Sequence, residues 1–186
     1  VVMPLRNAEA TVAEAVASLR QQTWLNLEII MVDHASEDDS PVILEEMAAR
    51  DERIRCFRHD GTFVEAANLA WQSAQGDLIA RMDSDDVAHA ERIEKQVRMM
   101  DANPGLSACG TLVNIVKRGG NGSSLPPDGG YKRYEDWVNS VVTHEEIFVQ
   151  RFVDSPVPNP TAMVRRSVIE SLGGYQDPVW AEDYDF

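Results

Sequence analysis

Gly76-Asp77-Leu78-Ile79-Ala80-Arg81-Met82-Asp83-Ser84-Asp85-Asp86 is the stretch on which the reading of this chain turns. Leu78-Ile79-Ala80 predicts a short buried strand behind a Gly76-Asp77 turn. The strand runs straight into Asp83, Asp85 and Asp86. Three carboxylates in four residues repel one another, which raises their pKa values or recruits a cation. On extended backbone, Asp83 and Asp85 share one side. Two hard oxygen donors there suit Mg2+ or Mn2+, with positions left open for phosphate oxygens. A solvated acidic turn ahead of a helix starting near His89 explains the same residues. The surroundings have to decide between the two.

Outward from that stretch, strands and helices alternate. Val1-Val2-Met3 is an apolar strand ended by Pro4, and Leu5-Arg6-Asn7 is a loop. Thr11-Val12-Ala13-Glu14 has the form of a capping box, opening a helix with Val12, Val16 and Leu19 on one face. Leu27 to Val32 is nearly all apolar, as in the middle of a parallel sheet, and it ends at Asp33. Ser40-Pro41 starts a second helix with proline in its first turn. Ile54 to Phe57 is a third strand, Phe63 to Ala74 a helix, and Glu91 to Asp101 another. This alternation predicts an open α/β sheet, mostly parallel, with right-handed crossovers. Its ligands belong outside the carboxyl ends of the strands. The loops at Pro4–Asn7, Asp33–Ser36, His59–Gly61 and Met82–Asp86 all leave such ends.

The remainder reads differently. A strand is expected over Ala108–Val116, and an irregular loop over Lys117–Tyr131. Short helices follow at Tyr134–Val142 and Glu145–Val153, then a rigid Pro156–Pro160 turn. A strand at Thr161–Val164 and a helix at Ser167–Leu172, stopped by Gly173-Gly174, complete the pattern. The natural division is residues 1–116 and an extension over 117–186 of the same domain. The chain starts inside a strand and stops at Asp185-Phe186 in mid-pattern, so it reads as C-terminally truncated.

With 31 acidic against 17 basic residues, the net charge is −14. No basic stripe exists to neutralise nucleic-acid phosphates or to adhere to anionic lipid. An anionic substrate would therefore need a metal or local cations. No stretch approaches the ~20 apolar residues of a membrane span. Cys56 and Cys109 lie far apart in apolar contexts and read as buried free thiols of a reducing compartment. Dinucleotide, P-loop, zinc and Gly-x-Ser-x-Gly patterns are all missing. What remains is carboxylates at strand ends. Asp33 is either a turn residue or an acceptor for a base N–H. Glu182-Asp183 is either a plain helix cap or the source of a general base.

Taken together, several runs resemble the opening of a family 2 glycosyltransferase. They are Val1-Val2-Met3-Pro4-Leu5-Arg6-Asn7-Ala8-Glu9, Ser18 to Thr23, Glu28 to Asp38, Ala67-Asn68-Leu69-Ala70, Ala74 to Ala80 and Asp83-Ser84-Asp85-Asp86. The likeness resumes at Pro160 to Arg166, Leu172-Gly173-Gly174-Tyr175 and Glu182-Asp183-Tyr184-Asp185. The resemblance implies the GT-A fold, a Rossmann-like sheet flanked by helices with a small acceptor-side extension. It implies an inverting transfer from a nucleotide-diphospho-sugar, with UDP the expected carrier, to a hydroxyl on a saccharide, lipid-linked or protein acceptor. By that resemblance Pro4, Leu5, Arg6, Asn7, Asp33, Ala35 and Asn68 bind the nucleotide. Asp83 and Ser84 lie near ribose and diphosphate, and Asp85, with Asp83, holds Mn2+ or Mg2+. Asp183 is the base beside the acceptor, with Glu182 on the acceptor side. The family's roles in polysaccharide or cell-envelope synthesis place it in the cytoplasm, with any contact to the inner face of the membrane left to regions outside these residues. The chain departs from the family at His34 and Ala35, where Asp-Gly is usual, and at Ala67, where an arginine commonly precedes the asparagine. A nucleotide-sugar-binding domain without turnover is the alternative. A nucleotidyltransferase would also use clustered acids, but it needs a Gly-rich basic loop near the start, and Pro4–Ala10 holds only Arg6.

Overall fold

The computed structural model describes residues 1–119 and 123–176. Asp183 and Glu182 therefore lie outside the described residues. Three strands, β1 (Val2–Leu5), β2 (Ile29–His34) and β3 (Ile54–His59), pair in parallel in the order β1-β2-β3. β4 (Leu78–Ala80) and β5 (Ala108–Cys109) flank β8 (Met163–Arg165), which runs antiparallel to both. A parallel bridge between Val2 and Arg81 joins the two sets, with the Met82 N–H donating to the Val2 carbonyl at 3.1 Å. The sheet thus reads β3-β2-β1-β4-β8-β5, parallel apart from β8.

Helices cover both faces because successive strand residues face opposite ways. Ile30 and Val32 of β2 meet α3 (Phe63–Ser73) through Ala66, Ala67, Ala70 and Trp71. The small alanines let that helix approach the sheet closely. Ile29 and Met31 face α1 (Val12–Arg20) and α2 (Ser40–Arg50), meeting Val12, Val16, Leu19 and Leu44. A third cluster joins α4 (Arg92–Ala102) to β4, β5 and β8 through Ile93, Val97, Met100 and Met163. Each fully buried aliphatic side chain contributes about 1.5–3 kcal/mol of transfer free energy.

Three local expectations need correction. Thr11 makes no side-chain cap; its hydroxyl donates back to the Ala8 carbonyl at 3.4 Å, and Glu14 instead pairs with Arg118 at 2.7 Å. True capping boxes occur at Thr62–Glu65, opening α3, and at Thr143–Glu146, opening α6 (His144–Gln150). The strand expected over residues 108–116 stops at Cys109, because β8 is only three residues long and pairs with two of them. Beyond it, the backbone of Val113 bonds in both directions to the Asn139 side chain, at 2.9 and 2.7 Å, and the Ile115 N–H donates to Glu135. The loop expected over 117–131 contains a two-residue pairing, β6 (Lys117–Arg118) with β7 (Ser124–Leu125), and α5 (Gly129–Val138) begins inside it. α7 (Arg166–Leu172) ends as expected, on Gly173 at φ +80°.

Candidate functional site

All four strands of the parallel set send their carboxyl ends to one edge, and the loops there are cross-braced. The Asn7 N–H donates to Ser36 Oγ at 2.8 Å, and Asn7 Oδ1 accepts from the Glu37 N–H at 2.9 Å. Ala8 N–H donates to Ser40 Oγ, the Glu9 N–H donates to Asp38 Oδ2, and the Glu9 carboxylate accepts from the Asp39 N–H. Asn7 and Ala35 both adopt the left-handed region, at φ +52° and +59°. Ala35 accepts the left-handed strain, roughly 1–2 kcal/mol for a residue with a Cβ. Pro4 and Leu5 are buried within β1, while Arg6 is exposed and pairs with Glu37 at 3.5 Å.

Asp33, the fifth residue of β2, is 2% exposed, and neither carboxylate oxygen has a hydrogen-bond donor. A buried polar group left unpaired is costly, so an orphaned acceptor at a strand end is an observation that a ligand's N–H or O–H would resolve. The next residue, His34, faces the opposite side and meets the edge of the Phe63 ring at 5.8 Å. Burial, then the neighbouring Arg6 charge, lower the His34 pKa from its ordinary value.

The acidic stretch is a turn. The Asp86 N–H returns to the Asp83 carbonyl at 3.4 Å, so the extended geometry expected for Asp83-Ser84-Asp85 is replaced by a bend that brings in a third acid. One oxygen from each of Asp83, Asp85 and Asp86 lies within 4.8 Å of the others. Desolvation, then Asp83 and Asp85, push the Asp86 carboxyl up to about 6. Oxygen-only donors of this kind fit Mg2+ or Mn2+ rather than a softer ion. The turn is held from behind: Ala88 N–H donates to Ser18 Oγ at 3.0 Å, Gln22 Nε2 to the His89 carbonyl at 2.8 Å, and Thr23 N–H to the Ala90 carbonyl at 2.9 Å. Arg92 Nη2 also donates to the Arg81 carbonyl at 2.7 Å. Ser84 is half-buried in the bend.

Asn68 has other commitments. Its Nδ2 donates to the Tyr175 carbonyl at 2.8 Å, and its Oδ1 accepts from the Tyr175 N–H and from the Trp71 indole, both at 2.9 Å. These bonds clasp the chain at Tyr175, 107 residues away. A Cβ added to Gly174, at φ +79°, would lie 2.4 Å from Asn68 Oδ1, so the clasp also requires that glycine.

Residues 1–173 match glycosyl transferase family 2. The chain belongs to this family. It is 31% identical to an uncharacterized glycosyltransferase of Haemophilus influenzae over 193 aligned residues, covering 100% of this chain and 58% of that one. An Escherichia coli UDP-Glc:alpha-D-GlcNAc-diphosphoundecaprenol beta-1,3-glucosyltransferase, WfgD, is 33% identical over 105 residues, 55% of this chain and 41% of its own length. The chain therefore spans less than two thirds of the length of these relatives. Among solved structures, S. aureus TarS 1-349 in complex with UDP superposes with a TM-score of 0.69 at 17% identity, covering 99% of this chain and 52% of that chain. The mannosyltransferase PcManGT from Pyrobaculum calidifontis, in complex with GDP-Man and Mn2+, gives 0.68 at 19%, covering 98% and 48%. The fold is GT-A.

The family motifs led to Asp83 and Asp85 as metal donors but not to Asp86 as a third, nor to Arg81, and they included Ser18 and Gln22 without a role for either. Arg81 alone carried a signal: a charged residue interrupting the apolar run Leu78-Ile79-Ala80…Met82. No described helix is long and apolar enough to cross a membrane.

Proposed function

We propose that this chain carries the donor-binding part of an inverting glycosyltransferase that moves a sugar from a nucleotide-diphospho-sugar to an acceptor hydroxyl. The observation that carries the reading is Asp33, a buried carboxylate without a donor at the carboxyl edge of a family 2 sheet. It fits recognition of a base N–H, with Pro4, Leu5, Arg6, Asn7 and Ala35 forming the walls and Asp83 and Ser84 standing on the ribose and diphosphate side. UDP is the expected carrier; WfgD is named for UDP-Glc, and TarS was solved with UDP. A divalent ion on Asp85, with Asp83 or Asp86, would act as a Lewis acid toward the leaving diphosphate. Mn2+ accompanies GDP-Man in PcManGT. In a chain of net charge −14, bare diphosphate would otherwise be repelled. Asp183 is assigned the base that removes the acceptor proton, with Glu182 beside it. A carboxylate with a pKa near ~4 is a weak base, so it takes the proton late, as the new bond forms.

Calorimetric titration with UDP and GDP, with Mn2+ or with EDTA, tests the donor site. Affinity that is equal in both conditions would sink metal coupling. Asp85→Ala is expected to lose that coupling more completely than Asp83→Ala. In the full-length protein, Asp183→Asn should lower kcat about 100-fold while donor affinity stays nearly unchanged. Normal turnover by that variant would favour a binding domain in place of an enzyme.

A further inference from the structure

Arg81 follows β4 directly, at the bridge to Val2, and is 4% exposed. Its N–H donates to the Ala162 carbonyl at 2.8 Å, which fixes its backbone in the sheet. Its guanidinium lies over the Phe63 ring, 5.5 Å from the centroid, donates to the Met82 carbonyl, and pairs with Asp83 Oδ1 at 2.6 Å. Nε has no partner. Burying an arginine this deeply carries a large desolvation cost, offset only where charge or hydrogen bonds meet it. Here the facing charge is the acidic turn. Among the described residues, no other cation is within ion-pair distance of Asp83, Asp85 or Asp86, although the buried Arg92 guanidinium also acts on Asp86 and Asp83 from farther away.

We infer that Arg81 is a positioning residue and a built-in counter-charge, which orients Asp83 and weakens the cluster's hold on a divalent ion alone, so that ion and nucleoside diphosphate bind together. The inference rests on the nucleotide-sugar reading of the site. The reasoning is electrostatic. Three carboxylates without a cation would attract Mn2+ or Mg2+ strongly whether or not a nucleotide is present. One buried positive charge 2.6 Å from Asp83 reduces that attraction. The same charge, together with the ion, favours the incoming diphosphate. The stack on Phe63 keeps the guanidinium in place while the site is empty of both. Removing the charge should therefore move the two affinities in opposite directions, whereas loosening of the fold would lower both.

The test compares Arg81→Met and Arg81→Lys with wild type in two calorimetric titrations: Mn2+ alone, and UDP or GDP at saturating Mn2+. Arg81→Met is expected to bind Mn2+ alone about threefold or more tightly and the nucleoside diphosphate about tenfold more weakly. Arg81→Lys, which keeps the charge and loses the fork, should hold Mn2+ as wild type does and recover part of the nucleotide affinity. If circular dichroism shows that the methionine variant does not fold, Arg81→Gln, which keeps N–H donors for Asp83 and Met82, runs the same titrations with the same expected signs. Mn2+ affinity that is unchanged, or that falls together with nucleotide affinity in a folded variant, overturns the inference. A wild type that binds Mn2+ but no nucleotide defeats the functional reading and, with it, the coupling inferred for Arg81.

Discussion

Residues 1–102 and residues 110–155 are held together in different ways. The first stretch repeats strand and helix, and its inner strands β1 and β2 bury both faces under helices. Its loops then meet at one edge because parallel strands leave them no other place. In the second stretch, among the described residues only Glu135, Val138 and Val141 are buried, while Tyr131, Phe148, Val149 and Phe152 are exposed. At Val113 and Ile115 its backbone is satisfied by single side chains, Asn139 and Glu135, instead of by a neighbouring strand. The difference shows that the strand-and-helix repeat of this GT-A fold is organised by its own core. The chain around it depends on a few long-range polar clasps.

The sharpest way to break this comparison is at Asp33. If the first stretch binds the base by itself, Asp33→Asn should weaken UDP or GDP by about 1.5–3 kcal/mol, the range for a hydrogen bond to a charged group. Metal dependence should persist. Thermal unfolding without nucleotide should be unchanged or move upward, since a buried carboxylate without a donor has been removed. Unchanged nucleotide affinity in the folded variant would return Asp33 to a role in the turn.

Asn68 tests the clasp between α3 and the chain at Tyr175. Asn68→Ala removes the bonds to the Tyr175 N–H and carbonyl and to the Trp71 indole, so stability should fall by about 1–3 kcal/mol in urea titrations. Nucleotide affinity should hold. A variant of full stability with weakened UDP binding would instead restore Asn68 to the nucleotide.

A smaller effect, remote from the crevice, comes from Asp51. Arg53 donates to it at 2.8 and 3.0 Å and Arg20 at 3.2 Å, and these bonds, Arg53 foremost, hold its carboxyl well below the usual range. A depressed folded pKa stabilises above the unfolded value, near ~4, and the gain is lost as pH falls toward the folded value. Asp51→Asn should therefore cost about 1.5 kcal/mol at pH 7, and the gap to wild type should narrow steadily below pH ~4. A gap independent of pH would refute this account. The smallest expected change is at Ala35. Ala35→Gly relieves the positive φ but loosens the unfolded chain, leaving a net gain of up to about 1 kcal/mol in denaturant midpoint experiments. A loss would mean that the loop relies on the alanine methyl.

The places where sequence reasoning succeeded share one property. Periodic apolar runs such as Ile29–Val32 and Val12–Leu19 have their environment dictated by neighbours a few residues away, so spacing alone locates them. Thr11 failed because a capping box is only a composition until the backbone adopts cap dihedrals, and here Ala8 and Arg118 claimed its two side chains. Residues 110–116 failed because strand propensity needs a partner edge, and β8 ends too soon to provide one.

By itself, the order of residues determined the α/β class, the placement of Asp33 and the acidic stretch at strand carboxyl ends, and membership of a family that works at that edge. These follow from local periodicity and chain direction. Only the tertiary structure decided that the acidic stretch bends to gather Asp86, that Arg81 is buried against Asp83, and that Asn68 holds Tyr175. Those contacts depend on burial and on pairs as much as 107 residues apart, and no local pattern encodes which donor will meet which acceptor once the core has closed.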